Sequence, residues 1–479
     1  MNVEMMKQVL NAEALSAAAP FLALTVGILL LLLVEILPGT ATLRPLVFLG
    51  TLAAAFGYAW QQANGPELRV FAETYVANST TGWWAILFII ATLVAWLFAR
   101  KFYREEARFE GEHDVLLLSA AAGMVLMAGS RDLLVFFVGL ELLSVPLYTL
   151  SGFQRAKRTS IEAGLKYFVL GAFAAAMYLF GAALVYAGTG TLTLSSMDAA
   201  DLSKSITIAG GALIAASLFF KISVFPFHLW VPDVYQGAPA PVTTFMATGT
   251  KAAAFAFLLP MAVLLPSDAA VLLAAIAVAT MALGNLGALV QTDLKRLLAY
   301  SGISHAGTML LAVAAQVSGG ASAASVSNAI LYYMAAYVFT AGGAFGLVTA
   351  MESRTGAPVT IESLKGLAQR QPLWAATFAL FALSLGGIPA TGGFLGKYLV
   401  FSTAVQADMI GWAIAGVLMS VVALGYYLRL IVAMYMQEAA KDATHGEGSR
   451  PWANAMAVVC AVGVLVLGVL PGWFMDHMK

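Results

Sequence analysis

The chain has 479 residues, 61% of them hydrophobic and only 10% charged, with 25 basic and 25 acidic side chains and a formal net charge of zero. Soluble domains carry about 25% charged residues, so a soluble globule of this length is excluded and a lipid-facing exterior is implied. Zero net charge gives no basic field for nucleic acid. The single cysteine, Cys460 in an apolar run, excludes a disulfide framework, a CxxC zinc site and a self-contained iron–sulfur cluster.

A hydrocarbon core about 30 Å thick asks for about 20 apolar residues per helical span. Apolar runs bounded by charge or by Gly/Pro clusters predict an all-α polytopic chain of about 14 transmembrane helices. The first run, Ala17 to Leu37, is longer than a signal-peptide core and lacks an A-x-A cleavage pattern, so it reads as a retained span. The spans centre on Leu30, Ala53 and Phe88, then on Gly123, Glu141, Met177, Leu218 and Lys251. Val278, Leu310, Ala336, Leu385, Val421 and Val464 complete the series. An even count places both termini on one side. No stretch between spans is long enough for a soluble catalytic domain, so the chemistry belongs to the membrane interior. The Asn78-Ser79-Thr80 sequon reads as a turn rather than a glycan acceptor.

Loop charges orient the bundle. Alternate loops hold fifteen basic residues: Arg44; Arg100, Lys101, Arg104 and Arg108; Arg155, Lys157 and Arg158; Lys295 and Arg296; Arg354, Lys365 and Arg370; Lys441 and Arg450. The other set, with both termini, holds five: Lys7, Arg69, Arg131, Lys204 and Lys479. The positive-inside bias places the first set in the cytoplasm and both termini outside.

Five basic residues remain, Lys166, Lys221, Lys251, Lys397 and Arg429, within or beside spans, and Glu141 joins them. A charge at mid-bilayer costs about 2.5–3.5 kcal/mol on insertion scales, so such residues face a bundle interior or water and mark function. Lys166 follows Glu162 by four residues, which also fits a helix ion pair or a snorkelling side chain. Arg429, in Tyr426-Tyr427-Leu428-Arg429, reads as an interface anchor. Lys221, Lys251 and Glu141 lie deepest.

Two spans carry breaks. Lys221-Ile222-Ser223-Val224-Phe225-Pro226 sets a proline within two turns of Lys221, and the chain re-enters through Pro232, Gly237, Pro239 and Pro241 toward Lys251. Leu385-Gly386-Gly387-Ile388-Pro389-Ala390-Thr391-Gly392-Gly393 is the second, with Lys397 beyond it. A break frees backbone carbonyls and amides that are tolerated at membrane depth only against protein or water. The breaks fall five spans apart, and an odd offset reverses orientation, the mark of an inverted repeat. Residues 114–260 and 269–437 are then two inverted five-helix halves, each with a broken helix. Residues 1–113 add three flanking helices and 452–479 add the last.

Burial disfavours an ammonium while a neighbouring carboxylate favours it. Glu141 beside Lys221 is therefore expected to act as a switch: paired, the lysine holds its proton; unpaired, it releases it. The predicted relay runs from Glu141 and Lys221 to Lys251 and on to Lys397, with bound water and His305 bridging gaps. His305, in Ser301-Gly302-Ile303-Ser304-His305, equally fits a hydrogen-bonded core residue. Only His228 and His305 approach the membrane by position, which argues against a haem site. Gly392 to Lys397 lacks the spacing and the Ser/Thr of a phosphate loop.

Three stretches carry a resemblance: Leu165-Lys166-Tyr167-Phe168; Phe227-His228-Leu229-Trp230-Val231-Pro232-Asp233-Val234-Tyr235-Gln236-Gly237-Ala238-Pro239; and Asp293-Leu294-Lys295-Arg296-Leu297-Leu298-Ala299-Tyr300-Ser301. The chain resembles the antiporter-like membrane subunits of proton-pumping NADH–quinone oxidoreductase, respiratory complex I, most strongly from Asp114 to Arg429. The Val-Tyr-Gln-Gly-Ala-Pro continuation and Lys397 at the second break look like the subunit N branch, subunit 2 in mitochondria; one sister branch has glutamate at that last position. The resemblance implies Glu141 and Lys221 as the charge pair, Lys251 as central relay, Lys397 as outlet, and Lys166 on the same charged axis. It implies no cofactor on this chain, with NADH, FMN, iron–sulfur clusters and quinone on partner subunits. Other membrane subunits, antiporter-like neighbours among them, are implied as partners in a bacterial inner membrane. A sodium/proton antiporter subunit is the alternative, and a scaffold whose buried charges only lock helices together is a third.

Overall fold

The computed structural model describes residues 11–37, 39–100, 102, 110–355, 357–438 and 451–477. Of the loop charges counted above, Lys7, Lys101, Arg104, Arg108, Lys441, Arg450, Lys479 and the Arg354 side chain lie outside the described residues.

Helices α1 (Ala19–Ile36) and α2 (Arg44–Ala63) each start with a proline in the first turn, where its missing N–H is tolerated. A short antiparallel hairpin, β1 (Leu68–Val70) and β2 (Tyr75–Ala77), precedes α3 (Ser79–Ala99). Asn78 starts α3 through a capping box: its side chain accepts from the Thr81 amide at 3.0 Å, and the Thr81 hydroxyl accepts from the Asn78 amide at 2.8 Å. Helix α4 (Glu110–Gly129) leads to α5 (Leu133–Ser151), which Asp132 caps by accepting from the amides of Leu134 and Val135. Helix α6 (Arg158–Thr189) ends on the left-handed Gly190.

Helices α7 (Ser205–Ile222) and α8 (Trp230–Gly237) flank the first break. The next span, α9 (Ala240–Leu264), changes pitch within itself, with a π-turn at Met246–Thr250 immediately before Lys251. Then come α10 (Ala269–Leu289), α11 (Leu294–Val317) and α12 (Ala323–Thr355). Helices α13 (Pro372–Gly386) and α14 (Gly392–Gln406) flank the second break, and α15 (Ile410–Met436) and α16 (Pro451–Val469) complete the bundle.

Every span centre expected from the sequence lies inside one of these helices. Among the described residues, 12 helices are long and apolar enough to cross a membrane. The other two expected spans are α2, whose Arg44 and Gln61–Gln62 make it less apolar, and α13, only 15 residues long because the chain breaks and continues as α14.

Burial separates axis from periphery. In the apolar stretch of each helix, 94% of the residues are buried within the chain for α11 and α12 and 89% for α9, against 22% for α1 and 33% for α6, α15 and α16. The outer helices present large apolar side chains such as Leu29, Phe173, Phe180 and Val421, as a lipid or subunit boundary requires. Small residues let neighbours approach: a Cβ on Gly284 of α10 would stand 2.6 Å from the Ser304 amide nitrogen of α11.

The two breaks share one local geometry. Helix α7 ends at Ser223, left-handed at φ 68°, and the Val224 amide reaches back to the Phe219 carbonyl at 3.0 Å. Helix α13 ends at Gly387, φ 84°, and the Ile388 amide reaches back to the Leu383 carbonyl at 3.0 Å. Both closures span six residues and satisfy carbonyls that a helix end otherwise strands.

Candidate functional site

Lys221 sits in the last turn of α7 and is 3% exposed. Its Nζ lies 3.5 Å from the Tyr167 hydroxyl and over the rings of Tyr148 and Tyr167, at 5.4 and 5.1 Å from their centroids. Trp230, from the far side of the break, stacks on Tyr167 at 4.6 Å and donates its indole N–H to the Phe220 carbonyl. An aromatic box thus holds the ammonium by cation–π attraction. Glu141 of α5 lies on a stripe with the exposed Leu134, Val138 and Val145, is itself partly buried, and makes no ion pair with Lys221 within 4.0 Å. The two charges still attract through space. The sequence places Glu141 against Lys221; the structure interposes Tyr148 and Tyr167 as the ammonium's immediate neighbours.

Lys251 is 1% exposed, and its Nζ has no hydrogen-bond partner within the chain. It lies against Gly302 of α11, and the hydroxyl of Tyr337 of α12 approaches the same glycine. Tyr235 stands between this centre and the first. Its ring meets Trp230 at 6.2 Å and Phe345 at 5.9 Å, and its hydroxyl interacts electrostatically with those of Tyr167 and Tyr337.

His305 is buried one turn along α11 from Gly302. Its Nδ1 pairs with the Tyr333 hydroxyl at 2.6 Å and its Nε2 with the Tyr427 hydroxyl at 3.1 Å, which in turn meets Ser301 Oγ at 2.5 Å. The ring is near enough to Lys251 and Lys397 to feel both charges. Lys397 is 8% exposed, and its Nζ donates to the carbonyls of Leu385 and Gly386, at 3.0 and 3.1 Å, freed by the second break.

Lys166 stands apart from this track. Its side chain is 41% exposed and pairs with Glu162 at 2.7 Å and Asp233 at 2.9 Å, while Arg296 holds Asp233 from the other side at 2.7 Å. This network lines a cavity of about 330 Å³ that also meets Lys295 and Glu352.

Two counts made from sequence need correction. Lys295, a loop charge by sequence, is buried in the first turn of α11, where it pairs with Glu352 at 3.0 Å and donates to the Ala238 carbonyl. Those partners come from α12 and from the end of α8, so no local pattern announces them. His113 is a third buried histidine beside His228 and His305; Asp114 contacts it at 3.2 Å and also accepts from the Trp96 indole at 2.9 Å. Arg429 donates to the carbonyls of Leu289 and Gln291 at the end of α10.

The residues missed from sequence are mainly the phenols Tyr167, Tyr235, Tyr333, Tyr337 and Tyr427, with Ser301. Their signal is weak but present: Tyr333 and Tyr337 share a face of α12 at i,i+4, and tyrosine buried in a span needs a partner for its hydroxyl.

Residues 130–423 match the family described as NADH:quinone oxidoreductase/Mrp antiporter, TM. The chain is 38% identical to NADH-quinone oxidoreductase subunit N of Myxococcus xanthus, with 96% of each chain covered. It is 40% identical to the subunit N of Salinibacter ruber, covering 90% of this chain and 88% of that one. Among solved structures, a chain of respiratory complex I from Thermus thermophilus with bound aureothin superposes with a TM-score of 0.81 at 35% identity, covering 96% and 99%. A chain of the Mrp complex from a Dietzia species has a TM-score of 0.84 at 23% identity, covering 97% and 96%, which establishes a common fold. With buried lysines at two helix breaks and this match over most of its length, the chain belongs to the family of NADH:quinone oxidoreductase and Mrp antiporter transmembrane subunits.

Proposed function

We infer that this chain is the N-type membrane subunit of a proton-translocating NADH–quinone oxidoreductase, and that it moves protons along the buried lysines while quinone is reduced elsewhere in the complex. The observation that carries the reading is the placement of Lys221, Lys251 and Lys397 in the interior of one bundle, with His305 near enough to feel both of the last two. Ammonium groups in such surroundings are costly, and are retained where their charge state does work.

Glu141 and Lys221 form the input pair, Lys251 the centre and Lys397 the outlet. The Tyr167, Tyr235 and Tyr337 hydroxyls mark the path from first to second, and the His305, Tyr333, Tyr427 and Ser301 cluster, with water, completes it to the third. Moving the charge of Glu141 relative to the Lys221 box changes how strongly the ammonium is held, and a conformational change in the complex can drive that movement. Lys166 serves at the rim, where its ion pairs with Glu162 and Asp233 border the cavity toward Lys295 and Glu352. Residues 114–260 and 269–437 act as the two inverted halves, with 1–113 and 452–479 as flanks; the matching closures at Ser223 and Gly387 support this division. The Lys/Arg asymmetry supports termini on the periplasmic side of a bacterial inner membrane. NADH, FMN, iron–sulfur clusters and quinone belong to partner subunits.

The test is to replace Lys221, Lys251 and Lys397 singly with alanine in the assembled complex and to measure NADH oxidation and proton uptake in vesicles. Loss of proton transport with retained assembly is the expected result; wild-type pumping by the assembled Lys221→Ala and Lys251→Ala complexes would leave only a scaffold role. The family description also spans Mrp antiporters, so a second reading is sodium/proton exchange. Sodium-dependent transport without NADH oxidation would favour it.

A further inference from the structure

Glycine inside a helix costs about 0.5–1 kcal/mol relative to alanine, so a glycine at the middle of a buried span asks for a reason. Helix α11 has two. At Gly307 the reason is backbone packing: a Cβ there would stand 2.7 Å from the Ala277 carbonyl oxygen and 2.9 Å from the Met281 amide nitrogen of α10. At Gly302 no backbone of another helix is near. A Cβ would meet two atoms within 4 Å, Lys251 Nζ at 2.6 Å and the Tyr337 hydroxyl at 3.0 Å. Both are the polar ends of side chains from other helices. The space that glycine leaves is therefore used by an ammonium and a phenol, and by no helix.

The place of this contact along α11 gives it a consequence. Gly302 is flanked by Ser301 and lies one turn from His305, and those two residues are joined through the Tyr427 hydroxyl. An ammonium seated on Gly302 is thus brought against the turn of α11 that carries the next proton-bearing groups. The π-turn at Met246–Thr250 immediately precedes Lys251 and shifts the register of α9 at that point. Lys397 also lies close to a glycine, with its Nζ 3.3 Å from a Cβ placed on Gly387, but that glycine is left-handed at φ 84° and has a backbone reason of its own.

We propose that Gly302 is a positioning residue of the relay: its missing side chain forms the seat, shared with the Tyr337 hydroxyl, that holds the Lys251 ammonium against α11, one helical turn from His305, and so sets the hand-off distance. The inference rests on Lys251 carrying protons. A methyl group at 302 displaces the flexible end of a lysine and leaves the helices in place. Misplacing a reacting group by about 1 Å can cost on the order of a hundredfold in rate.

The experiment compares Gly302→Ala, Gly307→Ala and Lys251→Ala in the assembled NADH–quinone oxidoreductase, reconstituted in proteoliposomes, reading assembly, protons moved per NADH and the pH profile of pumping. For Gly302→Ala the expected result is normal assembly, proton output lowered roughly tenfold, and a displaced midpoint in the pH profile. Gly307→Ala is expected to lower the yield of assembled complex and to leave the midpoint of what assembles unmoved, as a purely structural change does. Wild-type output and an unmoved midpoint in Gly302→Ala, or its failure to assemble, would overturn the seat. Wild-type pumping by Lys251→Ala would instead overturn the relay on which the seat depends, so the two failures are distinguishable.

Discussion

The two broken helices close in the same way and hold their lysines differently. At the first break Lys221 lies on the near side, in the last turn of α7, and meets the faces of Tyr148 and Tyr167 rather than a backbone acceptor. At the second, Lys397 lies on the far side, in α14, and reaches back to the carbonyls of Leu385 and Gly386. One ammonium is solvated by aromatic rings and answers to a carboxylate at a distance; the other is solvated by the break itself. A lysine held by fixed carbonyl dipoles keeps its surroundings whatever a neighbouring charge does, whereas one held by rings is sensitive to a charge that approaches or withdraws. The first arrangement suits a point of control and the second a terminal station.

The largest expected effect separates the two directly. Glu141→Gln removes the distant charge, and proton output is expected to fall at least tenfold in vesicle assays, which corresponds to about 1.4 kcal/mol of lost differential stabilisation. A Glu141→Gln complex pumping at the wild-type rate would erase the distinction. Next comes stability: Lys397→Met strands two carbonyls, each costing about 1–3 kcal/mol, whereas Lys221→Met strands no carbonyl and loses only the long 3.5 Å contact to the Tyr167 hydroxyl. The Lys397→Met complex is therefore expected to melt at a lower temperature than the Lys221→Met complex, and equal melting would show that the carbonyl contacts do not matter. Tyr148→Leu removes one face of the Lys221 box, worth about 0.5–2 kcal/mol, and is expected to reduce pumping severalfold while a matched change at Tyr398, exposed beside Lys397 on α14, leaves it unchanged. Smallest is Lys166→Ala. Its ion pairs are partly exposed and such pairs contribute about 0–1 kcal/mol, so pumping is expected to stay within about twofold of wild type, measured in the same vesicles.

Hydropathy, loop charge and glycine–proline clusters are properties of neighbouring residues. The sequence by itself therefore determined where the apolar helices and the two interruptions fall, and every expected span centre, including those at Leu218, Lys251 and Leu385, lies in a helix. Partnership is another matter. His305 meets Tyr427 from 122 residues away, Lys295 meets Glu352 across 57, and Lys221 meets Tyr167 across 54. Which side chain fills the space around a buried charge depends on how helices rotate and pack, and no period or spacing in the chain encodes that rotation. Hence only the tertiary structure decided that rings and not Glu141 touch Lys221, that Lys295 is an interior residue, and that Gly302 lies beneath the Lys251 ammonium.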